Sequence, residues 1–353
     1  MNPLRPSIAL AVGGLPHAFY RAMVVALLAW GAGRPLAAAV VVTTNLPAPA
    51  GSHLVVKLNG GSIEVIAHDG AEIRLEAERI ARGRTPAREH QLLSESPLQI
   101  RKEGTNWVLT TVSPAKEARL AEGERPPLGG LFKLRVPRDC SVDLMTLLGS
   151  IEVRGLAAEV HAQTEGGSMR FLEIHGPIQC ETASGTILAS ACVGTNALVT
   201  RGGGMQVLDG SGSLRLESGG GTVVVRRYRG PVQAEVSAGN LEFERVVGAL
   251  DGLTGSGRIV ADLEQPIPGS VHLEASGGGG VLVRVAPKAG FVLDAMTSSG
   301  FVSLGVGKSA APAAPTSERR EIVNGGGPEV WLRTGAGSIR VTPRAESRAT
   351  KSP

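Results

Sequence analysis

Apolar and polar residues alternate along most of this chain in short runs that end at glycine. Ile151 and Val153 flank Glu152; Val160, Ala162 and Thr164 interleave with His161 and Gln163. Period-two alternation marks a strand with one buried face. The runs also recur. Glycines fall at 149, 167, 185, 203, 221, 239 and 257, a constant 18-residue interval, and related turns follow at Gly279, Gly300 and Gly337 after intervals of 22, 21 and 37. GGSIEV, Gly60 to Val65, is an earlier relative.

Two columns accompany the glycines. The third residue before each is Thr146, Thr164, Thr182, Thr200, Ser218, Val236, Thr254, Ser276, Thr297 or Thr334, and nine of these ten carry a hydroxyl. The second residue after each is always apolar, from Ile151 to Ile339. A further glycine lies halfway along the repeat at Gly176, Gly194, Gly212, Gly230 and Gly248, with Ala158 in its place in the first repeat. The residues three before these alternate glycines are Glu173, Ala191, Asp209, Arg227 and Arg245. None is Thr, so the true period is the 18-residue one and not its nine-residue half.

A sandwich of hairpins would also give strands at nine-residue spacing, but the hydroxyl column requires two unlike turns per repeat. The pattern predicts an all-β fold: a parallel β-solenoid (β-helix) of about ten 18-residue, two-strand coils with a β-rich N-terminal cap. Position i then stacks on i+18 at about 4.8 Å, giving a rod of about 45 Å. Glycine supplies positive φ or close backbone approach at the corner. The inward hydroxyl is expected to bond a turn amide or its equivalent in the next coil. The structural turn residues are thus Thr164, Gly167, Thr182, Gly185, Thr200, Gly203, Gly221, Gly239 and Gly257. Val236 interrupts the column.

The remaining segments divide as follows. Residues 1–39 read as a signal peptide: Arg5 and Arg21 precede AMVVALLAW, and Ala37 and Ala39 form an A-x-A site. The alternative is an uncleaved anchor. Residues 40–128 form the cap, with a short helix near 85–94 where Thr85 precedes Pro86. Residues 129–342 are the solenoid, with an insertion at 305–328, and VWLRTGAGSIRV (Val330 to Val341) closes the last coil. Residues 343–353 are a disordered tail.

Charge changes little. The formal value is +4 over 353 residues, but Arg5, Arg21 and Arg34 lie in the leader; without them 33 basic residues face 32 acidic ones. That balance gives no support to nucleic-acid binding. Cys140, Cys180 and Cys192 are an odd set with no C-x-x-C spacing. They read as buried thiols, with a Cys180–Cys192 pair as the alternative.

LRVPRDCSVDLMTLLGSIEVRG (Leu134 to Gly155), the repeated T-x-x-G-x-I and the late LRTGAGSIRV (Leu332 to Val341) resemble the bacterial "putative adhesin" family across about residues 40–342. The resemblance implies a β-solenoid, often described as a right-handed β-helix, at the cell envelope. It implies no catalytic residues.

The motifs that imitate chemistry are incomplete. GVGKS (Gly305 to Ser309) has Val302 where a P-loop needs its first glycine. No G-x-S-x-G elbow occurs. His161, His175 and Glu173 lack a metal-ligand spacing. Glu181, Glu217 and Glu235 recur outward, but Gln163 and Val199 interrupt them, and aromatic platforms for sugar rings are scarce. RRYRG, with Arg226, Arg227, Tyr228 and Arg229, is the densest basic cluster and the candidate ligand patch. The expectation is a non-catalytic, extracytoplasmic interaction module with no cofactor or metal, contacting an envelope protein or glycan. Its attachment to the membrane and its oligomeric state stay open. The alternatives are a carbohydrate-active enzyme or lectin on the same fold, and an envelope-stress regulatory partner.

Overall fold

The computed structural model describes residues 23–25, 39–111, 128–267, 269–307 and 316–344. Most of the leader, the tail from 345 onward, and Lys308 and Ser309 of GVGKS lie outside them. The described chain is all-β with one helix, and its strands form two parallel-rich sheets. It divides into two compact units, 1–184 and 185–353.

In the first unit, one sheet runs Met23–Val25, Ala39–Pro47, Glu72–Ala81, Leu128–Pro137, Ser62–His68, Ile151–Arg154, Met169–Leu172. Its first three pairings are antiparallel and the rest parallel. The other sheet runs Leu98–Glu103, Asn106–Thr111, His53–Leu58, Ser141–Leu148, Val160–Gly166, Ile178–Ser184. Val142 faces Val160, and Val160 faces Ile178, each pairing an 18-residue step along the chain. The coil of 53–68 pairs directly with 141–154, as Ile63 with Ile151 and Leu54 with Val142, across an 88-residue step.

The helix spans Pro86–Glu95. The Thr85 hydroxyl accepts from the Arg88 amide at 3.3 Å, and proline occupies the first turn where its missing N–H is harmless. Leu92 and Leu93 are buried. Arg79, on the inner face of Glu72–Ala81, is buried too and donates to the Ser96 carbonyl at the helix C-terminus. Burial lowers its pKa to about 10. A guanidinium suits that end of the helix because unpaired carbonyls gather there.

In the second unit, one sheet runs Ile187–Ser190, Met205–Leu208, Val223–Arg229, Leu241–Val247, Ile259–Leu263, Val281–Val285, Ile339–Pro343, Val302–Leu304. The other runs Asn196–Thr200, Leu214–Ser218, Val232–Ala238, Leu250–Ser256, Val271–Ala275, Glu329–Ala336, Phe291–Ser299, Glu318–Val323, and only its last pairing is antiparallel. The 18-residue stacking continues to Leu241↔Ile259. The segment Val330–Val341 does not close the stack. It lies between 271–285 and 291–304, pairing Val271 with Val330 and Leu293 with Val330. The chain leaves 291–304, runs back as the antiparallel edge Glu318–Val323, and then enters the vacant rung. Both faces of that rung are satisfied: the Thr334 hydroxyl donates to the Gly279 carbonyl at 2.6 Å, and Thr297 donates to Gly337 at 2.8 Å.

The corner chemistry meets the expected turn amide at Ser218, whose hydroxyl accepts from the Gly220 amide at 3.2 Å. The recurring bond is a different one. The hydroxyl donates to the carbonyl of the corner glycine one coil back: Thr182 to Gly167 at 3.2 Å, Thr200 to Gly185 at 3.2 Å, Ser218 to Gly203 at 3.0 Å and Thr254 to Gly239 at 2.8 Å. Inward carbonyls at a corner point away from water, and an inward hydroxyl is the nearest donor. Ser276 is not in the column. It is exposed and bonds Glu274, while buried Ala275 faces Thr254 and Thr334. The extra glycines of SGGGG shift the register by one, so the column lapses at Ala275 as well as Val236.

A second column was not anticipated. Glu173, Ala191, Asp209, Arg227 and Arg245 all have φ between 52 and 57°, and Gly155, one coil before Glu173, has φ 76°. The other bend of each coil therefore places a left-handed residue at one fixed position, and only Gly155 is the residue type that adopts it without strain.

Candidate functional site

The outward faces of the strands carry the charged residues, and the ladder determines which of them meet. Positions i and i+18 are neighbours on parallel strands. Arg227 therefore meets Asp209, with Nη2 on Oδ2 at 2.7 Å, and this pair lowers the Asp209 pKa. Arg226 meets Glu244 at 3.2 Å. From Glu244 the contacts continue through Arg245 to Glu264 at 3.9 Å each, and from Glu264 to Arg344 at 3.3 Å. Arg344 also lies 3.1 Å from Asp262 Oδ1, off the hydrogen-bonding line. Burial raises the Asp262 pKa, while Arg344 and Arg284 oppose the shift. Arg344 closes this network with its backbone amide on the Val285 carbonyl at 2.7 Å, directly after the strand ending at Pro343.

The RRYRG residues are thus divided. Arg226 and Arg227 are held by carboxylates. Arg229 is exposed and has no ion-pair partner among the described residues. Tyr228 is fully buried and cannot touch a ligand. Its hydroxyl and the Asn196 carboxamide oxygen have no partner in hydrogen-bond geometry; burial raises the Tyr228 pKa, and the nearby Asn196 side chain opposes the shift. The acids of the other face are also dispersed. Glu217 pairs with Arg215 at 2.6 Å, and Glu235 stands beside Glu217 in the ladder. His161 contacts Asp143 at 3.4 Å and Glu159 at 2.9 Å, and His53 contacts Asp143 at 3.6 Å and Ser141 at 2.8 Å. His175 is an exposed turn residue. Among the described residues, no group of three or more His, Cys, Asp or Glu is arranged to hold a metal. Cys140, Cys180 and Cys192 are buried thiols, and burial pushes the Cys140 pKa up to about 12.

A depression with a volume of about 350 Å³ lies on the outward face of the first unit. Strands 39–47, 72–81, 128–137 and 62–68 floor it. Across it runs one row of Asn45, Arg74, Arg135 and Ile66, and beside that a row of Thr43, Glu76, Lys133 and Glu64. Arg74 and Arg135 stand directly opposite one another on antiparallel strands. Glu72 takes Arg74 at 2.6 Å. Neither Arg135 nor Lys133 has an ion-pair partner among the described residues. None of these positions stood out in the sequence, because their contacts cross strands that do not follow the 18-residue rule.

The class so defined is an all-β protein of parallel-rich, solenoid-type sheets with polar outward faces. No protein-family model and no curated protein matches the chain. Among solved structures it is similar to one described as a "putative cell adhesion protein" from Clostridium sporogenes ATCC 15579, at 10% identity and TM-score 0.21, over 86% of this chain and 99% of that one. It is similar also to a "putative adhesin" from Bacteroides fragilis NCTC 9343, at 11% identity and TM-score 0.29, over 85% and 96%. At those scores neither likeness bears on this chain's fold, which rests on the registers above.

Proposed function

We propose that this chain is a non-catalytic, exported interaction module of adhesin-like type at the bacterial cell envelope, built from about ten 18-residue coils. The observation that carries the reading is the distribution of outward charge. In the regular coils carboxylates are spread along ladders and tied to arginines one coil away or two positions along the same strand, as in Asp209–Arg227 and Glu217–Arg215, and in the depression Lys133 stands between Glu64 and Glu76. Paired acids poised to split a glycosidic bond would instead face one another across a shared cleft with no cation between them. A stack of coils with polar faces favours many weak contacts to an envelope protein or glycan, which add through multivalency. Among the described residues no helix is long and apolar enough to cross a membrane, and the leader argues for export.

The test has two arms. Fractionation of cells making the full chain with a C-terminal tag is expected to recover it outside the cytoplasm. Incubation of the full chain with a polysaccharide panel is expected to release no new reducing ends or unsaturated products. Product release would replace this reading with a carbohydrate-active enzyme.

A further inference from the structure

The depression over strands 39–47, 72–81, 128–137 and 62–68 has a composition that selects a ligand. Two guanidiniums stand opposite each other across an antiparallel pair, an arrangement that is unfavourable on its own and is relieved by an anion between them. Arg135 is the available fork, since Glu72 occupies Arg74. A guanidinium binds a carboxylate through two parallel hydrogen bonds. Yet the neighbouring row presents Glu76 and Glu64 on either side of Lys133. Those carboxylates accept hydrogen bonds from hydroxyl groups, which a sugar ring supplies in number and a phosphodiester backbone does not. Asn45 and Thr43 extend the same hydroxyl-recognising edge, and Ile66 supplies an apolar contact. The cavity falls within the size range of small-ligand sites.

We propose that this depression binds an acidic sugar: a hydroxyl-rich ring carrying one carboxylate, with the carboxylate on Arg135 and the hydroxyls on Glu76, Glu64 and Asn45. The proposal deepens the interaction-module reading by naming a ligand class, and rests on it only for the ligand's source at the envelope.

Isothermal titration of the full chain with oligogalacturonate tests it. Arg135→Gln is expected to weaken binding about tenfold or more, the loss of one charge-assisted bidentate contact. Arg135→Lys, which keeps the charge but not the fork, is expected to fall between. Arg215→Gln, on a strand of the other unit, is expected to bind as the parent does. Far-UV circular dichroism and the urea midpoint establish that each variant is folded. Neutral malto-oligosaccharide of equal length is expected to bind at least tenfold more weakly. No binding of oligogalacturonate, or equal binding by Arg135→Gln, overturns the site. Equal or tighter binding of a single-stranded oligonucleotide overturns the sugar class. A cytoplasmic location for the full chain would sink the envelope reading and leave this titration standing.

Discussion

Replacing Gly203 by alanine tests the corner reasoning most directly. Gly203 has φ +141°, and a Cβ built there lies 2.2 Å from the Gly185 carbonyl oxygen, about 1.2 Å short of ordinary contact at 3.4 Å. That shortfall is about a quarter of the ~4.8 Å spacing between stacked strands. The crowded oxygen is also the acceptor for the Thr200 hydroxyl, so moving it strains a second interaction. Holding alanine at this φ costs about 1–3 kcal/mol, and overpacking against backbone adds about 1–3 kcal/mol. The expected loss is therefore about 2–6 kcal/mol, to which the weakened hydroxyl bond adds about 1 kcal/mol. Gly325→Ala is the control: its φ is +92°, but nothing lies within 4 Å of a built Cβ, so only backbone strain of about 1 kcal/mol applies. Urea unfolding followed by far-UV circular dichroism reads the difference. At a slope of about 2 kcal/mol/M, Gly203→Ala lowers the midpoint by about 1.5–3.5 M and Gly325→Ala by about 0.5 M. Equal midpoints for the two variants would refute the claim that corner glycines are set by contact with the preceding coil.

Three further outcomes follow from the same geometry. Val236→Thr supplies the missing donor for the Gly221 carbonyl and is expected to stabilise by about 1 kcal/mol; a lowered urea midpoint would show that this corner cannot seat a hydroxyl. Ala191→Gly relieves a left-handed φ of 55° and should raise the midpoint, by about 1 kcal/mol in stability, whereas Ala189→Gly in the adjoining strand should lower it by a similar amount. Asp262 has a folded pKa raised by burial above its ordinary 3.8. Its protonated form is thus favoured on folding, so its contribution is fully present below pH 3.8 and lost as pH rises through the folded value. Midpoints of the parent measured from about pH 3 to about pH 7 should accordingly fall relative to those of Asp262→Asn as pH rises; parallel curves would contradict the burial argument.

The parts of the fold that repeat were legible because a stacked coil prints its contacts as columns. Thr200 and Gly203 belong to such columns because each must meet its counterpart in the coil before or after it. The left-handed bend was hidden for the opposite reason. Glu173, Ala191, Asp209, Arg227 and Arg245 share a backbone angle and no side-chain chemistry, so the column has no signature beyond its spacing. Yet the ladder rule could have found the ion pairs. Asp209 and Arg227, Arg226 and Glu244, and Glu152 and Arg170 all stand at i and i+18. Applied to RRYRG, the rule places Tyr228 inside, over Val246, and would have removed two of its arginines from the candidate ligand patch. The order of the last rungs was not legible at all. The corners at Thr297 and Thr334 offer the same donor and the same glycine, so the sequence fits either order. What separates them is the antiparallel edge Glu318–Val323, which pairs with Phe291–Ser299 and leaves 329–343 the inner place.

This bears on where a binding site can form in such a protein. A surface made by a repeat presents similar neighbours in every coil, and several of its charges, such as Asp209 with Arg227 and Arg226 with Glu244, are matched to partners one coil away. A distinct site needs neighbours that occur once. The depression meets that condition because Glu72–Ala81 runs antiparallel to both Ala39–Pro47 and Leu128–Pro137, which sets Arg74 against Arg135 in a pairing no 18-residue step would produce. The same interruption that hides the site from a repeat-based reading of the sequence is what leaves Arg135 without a laddered carboxylate. The unmatched guanidinium and the break in the repeat are therefore two aspects of one structural cause.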